Sequence, residues 1–270
     1  MKSLLLFILL VTSSLTITAQ LKNKHVLIFT KNGKGYVHEN ISASIAALQK
    51  LGVENGFITD TTTNSALFTD NNLKKYDVII FSNTNNDVFD TEEQRVAFMR
   101  YIQAGGGFMG IHSASGTERK WKWFKLMLGA TFLRHPPLQP FTVHILDKKH
   151  PAVKKLSPQW ETKDECYYFK EINSSIKVLL VSDISTIKEA DSSKNVNPDV
   201  FGNRYPAAWC QEFDGGKIFY TSLGHNKEDY SNAIYLAHLL EALKWVMDKP
   251  KADYKKAKAR SSIIDEMKMF

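Results

Sequence analysis

The run Gly105-Gly106-Gly107-Phe108-Met109-Gly110-Ile111-His112-Ser113-Ala114 constrains this chain more than any other stretch. Three glycines end a helix, a short strand without a polar face follows, and small residues then turn the chain abruptly at a histidine. A strand with no polar face belongs to a sheet covered on both sides. In an open parallel sheet, the turn leaving a strand's carboxyl end is where ligands bind. A histidine at that turn can be a base, an acid or a metal ligand. The glycines precede the strand, whereas phosphate-cradling loops follow a strand and open a helix. They therefore read as a helix stop and tight turn.

The preceding residues repeat the same logic. His25 to Thr30 is a continuous apolar run, followed by a loop and by Ile41, Ile45, Leu48 and Leu51 at helical spacing, with Gly52 closing that helix. A second strand is expected around Gly56 to Thr59 and a third over Tyr76 to Ser82. Thr91 and Gln94 make a capping box for a helix through Val96, Met99 and Ile102. Alternating strands and helices of this kind predict an α/β fold, a mostly parallel sheet with helices on both faces.

The second half is less regular. Phe141 to Leu146 and Ile176 to Val181 read as strands, and Ser182 to Asn203 as a long loop. Ala207 to Phe213 and Lys217 to Leu223 flank Asp214-Gly215-Gly216, which predicts an antiparallel β-hairpin added to the sheet. A helix from Asp229 to about Met247 closes the domain.

Met1-Lys2-Ser3, the apolar run Leu4 to Val11 and the small residues up to Ala19 read as a secretory signal peptide. The apolar run is shorter than the about 20 residues a membrane span needs. The expected organisation is a signal peptide over 1–19, one α/β domain over 20–248 and a basic tail over 249–270. The mature protein is expected in the periplasm or outside the cell, with no membrane span. The formal charge of +7 is concentrated in that tail, at Lys251, Lys255, Lys256, Lys258 and Arg260. Tyr254 is the single aromatic residue within the run, fewer than single-strand nucleic-acid binding would want, so it reads as a solvated terminal helix and no nucleic-acid partner is expected. Cys166 and Cys210 are the only cysteines. They exclude a disulfide-rich scaffold and leave open either a pair or two buried thiols.

Polar residues of chemical type gather in the loops. These are His38-Glu39, the stretch His112 to Glu118, Asp164-Glu165 before Tyr167-Tyr168, and Ser222-Leu223-Gly224-His225. Carboxyl ends of parallel strands converge on one crevice, so His38 and His112 are the leading candidates. His225 comes next, since its strand is expected to be antiparallel. No tight ligand spacing such as His-x-x-x-His is present. A divalent-metal site and a metal-free acid–base site of histidines and carboxylates therefore fit equally well. Trp121 and Trp123 suit either stacking on a sugar ring or packing in a core. His150 reads as structural, and His144 and His238 carry no expected role.

These residues resemble the ThuA-like (trehalose-utilisation) family. The similarity runs in order through 105–114, Trp121 to Gly129, His135-Pro136, His150-Pro151, Asp164-Glu165 and Tyr220 to His225. The resemblance implies a flavodoxin-like fold similar to class I glutamine amidotransferases. In those enzymes a cysteine nucleophile occupies the elbow where this chain has His112, so cysteine-dependent amidotransfer is excluded. No Gly-x-Ser-x-Gly elbow is present either. The family's association with disaccharide use, including oxidised (keto) sugars, implies a small carbohydrate ligand. On this reading His112 is the central acid–base group or metal ligand, with His38, Glu165 and His225 around it. Glu118 and His135 form the rim, and Trp121, Trp123 and Tyr167 contact substrate. A divalent ion such as zinc would sit on His38, His112 and His225. The rival readings are a hydrolase- or isomerase-type sugar enzyme and a non-catalytic sugar-binding module using the same crevice.

Overall fold

The computed structural model describes residues 21–189 and 201–263. The expected signal peptide, most of the loop after the strand at 177–183 and the last residues of the tail lie outside them. A nine-stranded sheet dominates, in the order β2-β1-β3-β4-β11-β10-β9-β6-β7. Its parallel half comprises β1 (His25–Phe29), β2 (Ile58–Thr62), β3 (Val78–Ser82), β4 (Gly107–Ile111) and β11 (Gly216–Thr221). The other half is antiparallel and larger than a hairpin: β10 (Arg204–Phe213), β9 (Lys177–Asp183), β6 (Gln139–Ile145) and β7 (Gln159–Asp164). β5 (Thr131–Arg134) and β8 (Tyr168–Lys170) form a separate two-stranded sheet.

One expectation about direction is corrected here. β11 is antiparallel to β10 but parallel to β4, with Thr221 opposite Ile111. Its carboxyl end therefore opens on the same edge as those of β1, β3 and β4, and the loop carrying His225 belongs to that edge. The hairpin itself turns through Asp214 at φ 49° and Gly215 at φ 95°, the left-handed pair that matches strand twist.

β4 is apolar because both its faces are packed closely. A Cβ on Gly107 would lie 2.6 Å from Val246 of α5 (Ala233–Met247), and one on Gly110 would lie 2.9 Å from Leu128 of α4 (Lys122–Leu128). On the α4 face, Phe81 stacks within 5.8 Å of Phe124 and 5.4 Å of Phe98, which lies on α3 (Glu92–Gln103). Thr91 caps α3 by accepting from the Gln94 N–H. Gly105, at φ 94°, stops it: the Gly105 N–H donates to Ile102 and the Gly106 N–H to Tyr101, a Schellman ending.

Several boundaries differ from the sequence reading. α1 (Ile41–Asn55) passes through Gly52 and ends at Gly56, whose φ of 82° gives the left-handed cap. Gly52 is buried, and a Cβ there would meet the Phe57 carbonyl at 2.8 Å, so close approach explains that glycine. The short helix α2 (Asp70–Leu73) lies before β3. The last helix begins at Ala233, capped by Asn232, after a 3₁₀ turn over Glu228–Ser231. Ser182 and Asp183 belong to β9, and Ile184–Thr186 form a 3₁₀ turn. The described tail is a strap with one 3₁₀ turn, Tyr254–Lys256, against the end of α3: Asp253 N donates to Ala104 O at 2.7 Å and Ala259 N to Gln103 Oε1 at 2.7 Å. The expected terminal helix is absent from residues 249–261. Cys166 and Cys210 are buried free thiols. No helix among the described residues is long and apolar enough to cross a membrane.

Candidate functional site

His112 follows β4 directly and has φ 51°, a left-handed conformation uncommon outside glycine. The bend lifts its imidazole off the sheet edge. Asn83, Asn86 and Glu118, in the loops around the same edge, also have positive φ, between 47° and 57°. Backbone strain of this kind gathers at functional sites. Burial of His112 is complete.

Its Nδ1 lies 2.7 Å from the Ser222 carbonyl oxygen. A carbonyl only accepts, so Nδ1 carries the proton and Nε2 presents a lone pair. Around that Nε2 stand Tyr167 Oη at 2.8 Å, His38 Nε2 at 3.2 Å, His225 Nδ1 at 3.3 Å and Glu165 Oε2 at 3.5 Å. Glu165 Oε2 is 3.1 Å from His225 Nδ1, and its Oε1 is 3.3 Å from His135 Nε2. The four expected central residues, His38, His112, Glu165 and His225, thus come together from three loops and the elbow.

The loops are fixed by buried polar groups. Asp164 accepts from the backbone N–H of Glu165 (2.7 Å), Gly224 (2.7 Å) and His225 (3.3 Å), so one carboxylate holds both segments that present Glu165 and His225. Asn40, just after His38, donates to the carbonyls of Gly224 and His225, at 2.6 and 2.8 Å.

The electrostatics follow from burial and crowding. Burial, then the neighbouring His112 and His225, pull His38 down to about 3. Burial also lowers His112, against the raising effect of the nearby Glu165 carboxylate, which favours the protonated ring. Glu165 is pushed up by burial, but the neighbouring imidazoles of His112, His225 and His135 outweigh that and hold it well below the usual carboxylate range. The bond to Glu165 raises His225. His38 and His112 are therefore held neutral, while an ionised Glu165 carboxylate stands between them and His225, whose protonated form it favours.

Four ligands at zinc distances of 2.0–2.1 Å stand about 3.3 Å apart at the corners of a tetrahedron. The donor atoms of His38, His112, Glu165 and His225 all lie within 4.8 Å of one another, and their closest separations run from 3.1 to 3.5 Å. The donor set and its spacing fit a divalent ion. The Ser222 carbonyl behind His112 is the outer partner that such an imidazole ligand needs.

A cavity of about 510 Å³ opens beside the cluster, walled by His38, His135, Glu165 and Tyr167, with Tyr36 and Arg119 also lining it. That volume is in the range of small-molecule sites, roughly 300–1,000 Å³. Three expected contacts do not reach it. Trp121 and Trp123 are buried 5.2 Å apart, in ring contact with Phe89, Phe98 and Phe124. They pack the core. Glu118 is buried away from the rim, accepting from Val88 N and Phe89 N and pairing with Arg95 at 2.9 Å. His135 and Tyr167 do stand at the cavity. His150 is buried, accepting from Ala152 N through Nδ1, in a structural setting.

Sequence reading missed Tyr36, Asn85, Asn86 and Arg119 as cavity residues. One signal was available for the asparagines: Asn83-Thr84-Asn85-Asn86 is a polar run directly after a wholly buried strand.

A sequence model of the ThuA family, described as trehalose utilisation, matches residues 25–246. The chain is similar to a ThuA-like protein from Bacteroides uniformis, with 26% identity and a TM-score of 0.70 over 88% of this chain and 96% of that one. It is also similar to a ThuA-like protein from Parabacteroides merdae, with 18% identity and a TM-score of 0.67 over 89% and 99%. A glutamine amidotransferase from Thermotoga maritima shares the fold at 9% identity and a TM-score of 0.51, over 84% and 99%. No curated protein matches the sequence.

Proposed function

Since the chain belongs to the ThuA family, whose description is trehalose utilisation, we propose that it is an exported, metal-dependent enzyme acting on a disaccharide or oxidised (keto) sugar. Family membership supports a carbohydrate-related role; the reaction and the metal are our reading of the site. One observation carries it: three imidazole nitrogens and a carboxylate oxygen meet with separations of 3.1–3.5 Å between neighbours, at an edge where His112 has no proton on its inward nitrogen. A divalent ion held there would supply Lewis-acid polarisation of a sugar carbonyl or hydroxyl oxygen.

The chain's own groups supply the rest. His135 donates from Nδ1 to the Pro136 carbonyl at 2.8 Å, which turns Nε2 toward Glu165 Oε1 and the cavity. With its proton on Nδ1, His135 presents a lone pair at Nε2, placed to take a proton from a sugar hydroxyl and return it, the work of a general base and acid, with the Glu165 carboxylate alongside. The Tyr167 hydroxyl, against His112 Nε2, orients the same wall.

The test measures metal content and turnover together. Protein purified without chelator is analysed for divalent metal, then assayed as apo and reconstituted forms against disaccharides and their keto derivatives. Bound metal and metal-restored turnover are expected. Sugar binding without turnover by the loaded protein would favour the non-catalytic module instead. Amino-terminal sequencing of the exported protein is expected to begin at or near Gln20.

A further inference from the structure

We infer that the sugar taken by this cavity carries a carboxylate, as a hexuronic acid does, and that Arg119 reads it; this rests on the carbohydrate site proposed above. Arg119 lines the cavity. Its Nε donates to the Gly116 carbonyl at 3.0 Å, one terminal nitrogen lies 3.4 Å from Asn85 Oδ1, and the guanidinium carbon stands 5.5 Å above the Phe132 ring. The group is held in place, yet no ion pair joins it to any carboxylate among the described residues. Neighbouring Glu118 is turned inward to Arg95, and Glu165 is engaged by His112, His135 and His225. One positive charge therefore faces the cavity with part of its hydrogen-bonding fork free.

Two further features mark this wall as built. Ser113 lines the same cavity, and its buried hydroxyl has no hydrogen-bond partner among the described residues. A Cβ on Gly116 would come 2.8 Å from the Arg119 terminal nitrogen and 2.5 Å from Asn85 Oδ1, so the bare glycine makes room for the guanidinium. A planar guanidinium matches a carboxylate through paired N–H donors. A single cation, with no lysine lining the cavity, suits a monoanion better than a phosphate dianion.

The test compares binding of the methyl glycosides of glucuronic, galacturonic and mannuronic acids with that of their neutral parents. Glucose 6-phosphate is a further probe, and calorimetry or ligand-observed NMR on the full chain is the readout. At least one uronate is expected to bind about tenfold more tightly than its neutral partner. That preference should weaken with added salt, be lost in Arg119→Gln and survive in part in Arg119→Lys. Equal binding within every pair overturns the inference but leaves the sugar site standing. So does a preference that survives Arg119→Gln, or tighter binding of the phosphate. Failure of every sugar to bind overturns both. If Arg119→Gln does not fold, the charged-over-neutral preference of the unaltered protein and its salt dependence decide.

Discussion

The Nδ1 of His112 donates to the carbonyl of Ser222 across 2.7 Å, and the two residues are the first beyond a register pair, Ile111 opposite Thr221, in the adjacent parallel strands β4 and β11. The sheet itself thus sets the tautomer. With the proton held on Nδ1, Nε2 offers only its lone pair to the cluster. Long-range ¹H–¹⁵N spectra of the chelator-treated protein are expected to show His112 as the Nδ1–H form. His112→Ala is expected to abolish turnover and lower metal occupancy. Freed of its partner, the buried Ser222 carbonyl should also cost about 1–3 kcal/mol of stability. Full metal occupancy in a folded His112→Ala protein would contradict the tetrahedral reading.

Asp164 contributes no atom to the cluster, yet it anchors both Glu165 and His225 through their backbone N–H groups. In Asp164→Asn one oxygen becomes an N–H₂ group that faces a backbone donor. Expected effects are a loss of about 1–3 kcal/mol in urea unfolding and of roughly 10–100-fold in metal affinity. A stability loss with unchanged metal affinity would show that the loops are held by other means.

How much was legible in the sequence depended on whether the signal was local. β1, β3 and β4 were readable because each is apolar on both faces, and Asp214-Gly215 announced its own turn. His38, His112, Glu165 and His225 were readable because each follows or flanks a strand end. β7 and β5 were not, since QWETKD mixes charged and polar residues and TFLR is too short to show a period. The direction of β11 was illegible for another reason: a hairpin fixes the sense of its two strands relative to each other, and only the pairing with β4 decides which edge they open on. Trp121, Trp123 and Glu118 look the same in sequence whether they face a cavity or a core. The aromatic packing around Phe98 and Phe124 and the partner Arg95 decide that.

The exposed aromatic at the cavity is Tyr36, at 61% exposure, with its ring 4.8 Å from that of His38. Tyr36→Ala is expected to weaken sugar binding severalfold with little change in melting temperature. Trp121→Ala is expected to do the opposite, losing about 3–5 kcal/mol of stability. Its cavity would form inside the core, leaving binding intact in whatever protein remains folded. Reversed outcomes would return the sugar-contact role to the tryptophan.

Burial pushes the thiols of Cys166 and Cys210 up to about 12, so neither is a thiolate near neutral pH and neither suits nucleophilic attack. Cys166→Ser and Cys210→Ser are expected to keep turnover and metal content. Mobility on non-reducing gels should match that of the reduced protein, as two free thiols require. Inactivation of a folded serine variant would reopen a catalytic role.

Acid sensitivity should have a source outside the site, in His238. This side chain of α5 is completely buried, its Nε2 3.0 Å from Thr221 Oγ1 and its ring 5.6 Å from Phe219. Burial pulls its pKa from 6.5 to about 4. Between those values the unfolded chain binds a proton that the folded chain refuses, so stability rises with pH in that window. The contribution is complete above 6.5, shrinks as the solution is acidified and is gone below 4. A shift of this size corresponds to about 3 kcal/mol. His238→Gln keeps a hydrogen-bonding group near Thr221 and removes the titration. Urea unfolding at intervals from pH 7 to 4 is expected to show a slope in the unaltered protein that is shallower by about one proton in the variant. Identical slopes would show that the acid-sensitive group lies elsewhere.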